Sequence, residues 1–296
     1  MSGSALAPPP APPVLRCARI PITACTREEA AHLVVALASG SDRGGPGDPG
    51  GSGHPGGSGR AGDSRSADGS RGAGDSRRAG VDVHLCNAYT LALADRDPVL
   101  RDLLVTAAVN FPDGKSVVWA NQLLHRGREV PGNRVYGPDL FLDVLDTGQD
   151  AGLRHYLLGG SPEVLAELRA QIARRFPRAE VVGAESPPFR ERDAAELAAQ
   201  DARIRASGAQ LVWVGLGTPK QDREVARLAA TVPGVHLAVG AAFDFVAGAK
   251  RQAPGWLQEH GLEWVFRLVS EPRRLWRRYL FGNTRFLWAV ARNARR

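Results

Sequence analysis

Cysteine, methionine and aromatic side chains are scarce in this chain: three Cys, one Met and 6% Phe, Trp and Tyr among 296 residues. Cys17, Cys25 and Cys86 are odd in number and lack metal-ligand spacing, which argues against a disulfide framework or a zinc site and points to a reducing compartment. No apolar run approaches the roughly 20 residues needed to span a bilayer. Met1–Pro13 is rich in Ala and Pro and has neither the basic start nor the apolar centre of a signal peptide. A cytoplasmic protein, free or peripheral at a membrane, is therefore expected. Also missing are a P-loop, a His-x-x-x-His pair and a Gly-x-Ser-x-Gly elbow.

Charge is unevenly distributed. The chain carries a formal +7, yet Lys250–Arg296 alone holds eleven Lys/Arg against three Glu, so the remainder is close to neutral. That tail also contains Trp256, Trp264, Trp276 and Trp288. Basic residues with interleaved aromatics suit an anionic membrane surface or a nucleic-acid backbone, and equally a solvated helical face with a few core tryptophans.

Gly40–Gly80 holds fifteen of the 34 glycines, and its six Arg are nearly matched by five Asp. Such a segment buries too little apolar surface to offset its ordering entropy, and reads as a disordered insertion in a surface loop. The near-balance of charge argues against a nucleic-acid arm. A second disordered piece is expected at residues 1–18. Between and beyond these, strand and helix patterns alternate. Arg19–Thr23, Val81–Cys86, Ala108–Phe111, His155–Leu158, Glu180–Ala184, Leu211–Gly215 and His236–Val239 read as strands, and helices are expected after most of them. Thr26-Arg-Glu-Glu29 has the form of a capping box. This predicts an α/β domain over residues 19–248, with a mostly parallel sheet and Rossmann-like βα units. A basic helical appendage over 249–296 follows, with helices at Trp256–Ser270 and Pro272–Ala294.

In such folds ligands sit beyond the carboxyl ends of the strands. Five strand ends carry chemistry: Asn87–Thr90, Asp113-Gly114, Gly159-Gly160, Gly215–Gln221 and Gly240–Asp244. The richest is Leu211-Val-Trp-Val-Gly-Leu-Gly-Thr-Pro-Lys-Gln221, a buried strand, a glycine turn and a helix start. Gly215 and Gly217 allow close backbone approach to an anion, and Pro219, Lys220 and Gln221 open the helix whose N-terminus favours phosphate. Asp113 before Gly114 is either a general base or an ordinary turn residue. Thr90 and Asn87 are sugar-binding or capping groups, Asp244 a ribose-binding or turn-capping group, and Arg134 an anion fork or a surface arginine. The Gly-x-Gly at 215–217 lacks the third glycine of a dinucleotide fingerprint, which weakens an NAD(P)-dependent oxidoreductase or epimerase reading. A DNA-binding role ranks last, because the α/β pattern supplies no recognition element.

Taken together, Asn87-Ala-Tyr-Thr90, Pro112-Asp113-Gly114, Arg134-Val-Tyr-Gly137-Pro-Asp139, Leu158-Gly-Gly160, Val214–Gln221, Phe243-Asp-Phe-Val-Ala-Gly248, Ala253-Pro-Gly-Trp256, Gly261-Leu-Glu-Trp264 and Glu271-Pro-Arg-Arg274 resemble the WecG/TagA/CpsF family of glycosyltransferases. The resemblance runs from about Arg19 to Phe286, apart from the insertion. It implies an inverting, metal-independent transfer from a UDP-sugar, typically N-acetylmannosamine or its uronic acid, to a polyprenyl-diphosphate-linked saccharide. That chemistry belongs to cell-surface polysaccharide or teichoic-acid-type synthesis at the inner face of the membrane. Neither a resident cofactor nor a nucleic-acid partner is implied, and the oligomeric state is left open. By the same resemblance Asp113 is the general base, Thr90 its neighbour and Gln221 part of the nucleotide-sugar pocket. Asn87, Gly114, Arg134, Asp139, Gly159, Gly160, Gly240, Phe243 and Asp244 fall in the binding set. Arg267, Arg274 and Arg277 are the appendage arginines that close over the site. Three departures stand out: Asp222-Arg-Glu lacks the usual Trp, Gln252 replaces an arginine that is displaced to Arg251, and Pro187-Pro188-Phe189 replaces Gly-Tyr-Phe.

Overall fold

The computed structural model describes residues 12–40 and 79–294, with the Arg274 side chain excepted. Most of the Gly-rich insertion and the first eleven residues lie outside the described residues. The chain opens with a hairpin, β1 (Val14–Cys17) against β2 (Ile20–Thr23), turning through Ala18 and Arg19 at φ 48° and 74°. Order thus begins before residue 18, earlier than the composition implies. Leu15, Cys17, Ile20 and Ile22 are buried, and that alternating apolar face holds the hairpin down. Helix α1 (Arg27–Gly40) starts at the expected capping box, with Thr26 and Glu29 exchanging backbone-to-side-chain hydrogen bonds of 2.7 and 3.2 Å.

A first βα series follows: β3 (Gly80–Cys86), α2 (Ala88–Ala94), α3 (Pro98–Thr106), β4 (Val109–Pro112), α4 (Lys115–Leu124) and α5 (Gly137–Gly148). The second comprises β5 (Arg154–Gly159), α6 (Pro162–Arg175), β6 (Glu180–Glu185), α7 (Ala194–Ser207), β7 (Leu211–Gly215), α8 (Lys220–Thr231), β8 (Gly234–Ala238) and the short α9 (Ala242–Val246). Strands β3 to β8 form one sheet in the order β4-β3-β8-β7-β5-β6, and every neighbouring pair is parallel. All six carboxyl ends therefore share an edge. One face buries Val83, Leu157, Trp213 and Leu237 against α1, α5 and α6, while Leu158, Val212 and Val214 on the other pack with Val225 and Leu228 of α8.

The C-terminal region departs from the expected pair of helices. Gly261, at φ +70°, breaks the first into α10 (Gly255–Glu259) and α11 (Glu263–Ser270); a Cβ at Gly261 would lie 2.8 Å from the Trp119 ring. Helix α12 (Pro272–Asn293) is not wholly an appendage. Its Phe286, Ala289 and Val290 are buried with Leu91, Leu100 and Val117, and Arg292 pairs with Asp95. The second half of α12 is thus part of the domain's core. No helix among the described residues is long and apolar enough to cross a membrane.

Candidate active site

Asp113 stands at the carboxyl end of β4, with Asn87 beside it at the end of β3. The Asp113 N–H donates to the Cys86 carbonyl at 2.9 Å, and Gly114 at φ +107° turns the chain into α4. Asn87 Oδ1 caps α2 by accepting from Tyr89 N and Thr90 N, both at 3.1 Å, leaving its Nδ2 to donate to Asp113 Oδ2 at 3.4 Å. Capping and orienting are thus done by one side chain. Thr90, expected in the site, is fully buried and its hydroxyl bonds Asn87 at 3.3 Å. It fixes Asn87 from behind because the helix start turns it inward.

Two cavities meet at Asp113. A cleft of about 1250 Å³ runs along the sheet edge from Asp113 past Gly240, Gly215, Gly217 and Gly160 to Phe189. A chamber of about 330 Å³ opens on the other side, among Tyr89, Trp119, Arg134, Trp264, Tyr279 and Leu287. Asn87, Asp113, Tyr136, Arg267 and Arg278 line both. Among the described residues the cleft is lined by nine Lys/Arg and five Asp/Glu, and Arg190, Arg223, Arg227 and Arg267 are paired with Glu196, Asp97, Asp201 and Glu263 outside the lining.

An ionic cluster roofs Asp113. Arg134 reaches Glu263 of α11 at 2.5 Å and Gln258 at 2.9 Å, with its guanidinium 4.1 Å from the Tyr136 ring centre. Glu263 also binds Arg267 Nε at 2.9 Å and accepts from the Tyr136 hydroxyl at 3.1 Å. Burial pushes the Asp113 carboxyl above its ordinary value; Glu263 pushes the same way, and Arg134, Arg267 and Asn87 pull back. Arg278 lies 4.4 Å over the Tyr89 ring, and its Nε is buried without a hydrogen-bond partner. Burial lowers this guanidinium from its ordinary value, opposed by Tyr279, Tyr89 and Asp113.

The glycine turns divide by role. Gly160, Gly215, Gly217 and Gly240 line the cleft, whereas a Cβ on Gly159 would lie 2.6 Å from the Gly215 carbonyl oxygen, so Gly159 serves strand packing. Phe243, expected to bind substrate, is a core residue: it lies against Phe141 and would be 2.9 Å from a Cβ at Gly215. Gln221 accepts the Gly217 N–H at 2.9 Å, pinning the turn and engaging one amide expected for phosphate. Lys220 lines the cleft, and Pro219 precedes α8 without lining it. Asp244 lines it too, held by Lys250 at 2.7 Å.

Two further expected residues lie away from the cavities. Asp139 points away from the cavities and pairs with Arg27 of α1 at 3.1 Å. Arg277 is exposed over the Trp276 ring at 5.1 Å; its neighbour Arg278, one helical step of 100° away, lines both cavities instead. The Arg274 side chain, also expected over the site, lies outside the described residues. Sequence reasoning missed Tyr136, Glu263 and Arg278. Tyr136 and Glu263 lay inside quoted motifs, and only the register of α12 separates Arg278 from Arg277. Among the described residues no three His, Cys, Asp or Glu side chains are grouped as a metal site.

The all-parallel sheet, the cleft along its carboxyl edge and the buried carboxylate at one end define an α/β protein of Rossmann-like build with a ligand-sized site at its strand ends. Residues 72–296 match the model of the glycosyl transferase WecG/TagA/CpsF family, and the chain belongs to that family. It is a glycosyltransferase, taking an activated sugar donor and an acceptor, and this displaces the oxidoreductase reading. The matched span leaves out the β1–β2 hairpin and α1.

Proposed function

We propose that the chain moves a sugar, N-acetylmannosamine or a related hexose or uronic acid, from a UDP-sugar to a polyprenyl-diphosphate-linked saccharide, with inversion and without a metal. The observation that carries this reading is the position of Asp113 where the cleft meets the aromatic chamber. A nucleotide diphosphate suits the cleft's glycine turns and the lysine and arginine side chains along it, Lys220, Arg251 and Arg278 among them. An amphiphilic acceptor suits the chamber, whose lining combines the exposed Trp119, Trp264 and Leu287 with the half-buried Arg134, Arg267 and Arg278.

In this mechanism the acceptor hydroxyl enters from the chamber and gives its proton to Asp113 as its oxygen attacks the anomeric carbon. The bond from that carbon to the UDP oxygen breaks on the opposite face. Arg267 and Arg278 offset the charge that develops on the diphosphate, together with backbone N–H groups of the glycine turns. The exposed Trp276, Phe281 and Trp288 and the basic residues of α12 hold the enzyme against an anionic inner leaflet, where such an acceptor resides.

The test is a panel of UDP-sugars with a short-chain polyprenyl-diphosphate N-acetylglucosamine acceptor. Product is expected with an N-acetylmannosamine-type donor, with inverted anomeric configuration and no loss in EDTA. Transfer from a different nucleotide, or to a soluble sugar in preference to the lipid, would overturn the donor or acceptor assignment.

A further inference from the structure

The face of the sheet turned toward α8 carries an unusual polar group. On β3, Val83 and Leu85 enter the apolar core on one side, so Asp82, His84 and Cys86 face the other. There His84 Nδ1 is hydrogen-bonded to Asp222 Oδ1 at 3.1 Å in the first turn of α8, and His84 Nε2 lies at ion-pair distance, 3.5 Å, from Asp82 Oδ2 without a hydrogen bond between them. All three side chains have no solvent exposure. Asp222 Oδ2 has no hydrogen-bond partner, and Asp82 Oδ1 accepts the Ala108 N–H at 2.9 Å. A neutral imidazole carries one N–H and can satisfy only one of the two carboxylates. An imidazolium carries an N–H toward each and makes the group one unit less negative than a neutral imidazole does.

The same turn of α8 shapes the donor cleft. Gln221, next to Asp222, holds the Gly217 N–H, and Lys220 lines the cleft one residue earlier. We propose that His84, as an imidazolium clamped between Asp82 and Asp222, is a positioning residue that locks the first turn of α8 and with it the Gly215–Gln221 nucleotide turn. This deepens the donor assignment above and rests on it for the ligand named, though not for the geometry.

Among the described residues, several titratable and charged groups face His84. They are Asp82 and Cys86 on its own strand, Asp222 on α8, and His236 of β8, which pairs in register with Asp82 and binds the Val232 carbonyl at 2.9 Å. The neighbouring side chain on β4, Asn110, is neutral and donates to the Leu104 carbonyl. Burial alone would depress the His84 pKa, but the two carboxylates outweigh it and raise it. His236 is lowered by burial to about 4 and stays neutral across the working range. A histidine raised in the folded state stabilises fully below its unfolded value, and that stabilisation is lost as pH rises through the folded pKa. The turn therefore loosens on the alkaline side.

The experiment measures amide hydrogen exchange at residues 215–222 and UDP affinity from pH 6 to 10, in the full chain and in His84→Gln and Asp222→Asn. In the wild type, exchange in the turn should quicken and UDP affinity should fall by about tenfold through one alkaline transition. His84→Gln should exchange fast and bind weakly at every pH, and Asp222→Asn should lose the transition even if His84→Gln does not fold. Nitrogen NMR of the wild type should show both His84 ring nitrogens protonated at pH 7. A neutral His84 at that pH, or a turn whose exchange is identical in wild type and Asp222→Asn, would overturn the inference. Failure of the wild type to bind UDP at any pH would overturn the donor assignment instead, because the exchange readout needs no ligand.

Discussion

Asp113 combines two burdens in one side chain. As the proposed base its carboxylate must be ionised to accept a proton, yet it sits where burial favours the neutral acid. A raised folded pKa places the acid limb of kcat/KM above that of an ordinary carboxylate, with activity lost as pH falls through it. The same sign predicts a stability effect. A carboxyl whose pKa is raised by folding is destabilising at neutral pH, where it is forced to ionise. Asp113→Asn should therefore cut turnover by about 10²–10⁴-fold while raising the thermal midpoint, read by activity assay and calorimetry. A mutant that is both active and less stable would sink the assignment. Arg278 and Arg277 offer a paired test. Arg278→Ala should depress transfer by at least about tenfold, and Arg277→Ala should leave it within about twofold.

Helix α12 works at two levels along its length. Its first half presents the exposed Trp276, Leu280 and Phe281, and its second half places Phe286, Ala289 and Val290 in the core beside α2. Truncation of residues 250–296 would remove both and unfold part of the domain, so surface variants are the informative ones. Trp276→Ser with Phe281→Ser should abolish sedimentation with anionic liposomes and shift the unfolding free energy by less than about 1 kcal/mol. Phe286→Ala should cost about 3–5 kcal/mol by the cavity it leaves, measured by urea denaturation. Unchanged liposome binding in the double variant would place the membrane contact elsewhere.

Across the whole molecule, the parallel sheet gathers residues far apart in the chain onto one edge, with Asp113 at the β4 end and the glycine turns of β7 and β5 further along. The cleft proposed to bind the donor is thereby built from segments of both βα series. UDP at a hundredfold excess over Kd should stabilise the fold by about 2.7 kcal/mol, whereas NAD should leave the melting temperature unchanged. A stabilising effect of NAD with none from UDP would reverse the assignment of the cleft.

Much of this was legible from the sequence. Apolar runs ending in Asn87, Asp113, Gly160 and Gly215 mark strand ends, because a strand buried on both faces must be apolar and its following turn must not be. The capping box at Thr26 and the strand–turn–helix at 211–221 follow from local geometry alone. Other features depended on neighbours distant in the chain. That Thr90 faces inward, that Phe243 is core, that Asp139 turns toward Arg27, and that Arg278 and not Arg277 reaches the cleft are decided by how helices sit against the sheet. Local sequence encodes hydrophobic period and turn chemistry, and these settled the α/β class and the positions of the strand ends. Only tertiary packing sets the rotation of each helix and the company of each buried charge, and it alone joined Asp113 to Glu263 and His84 to Asp222.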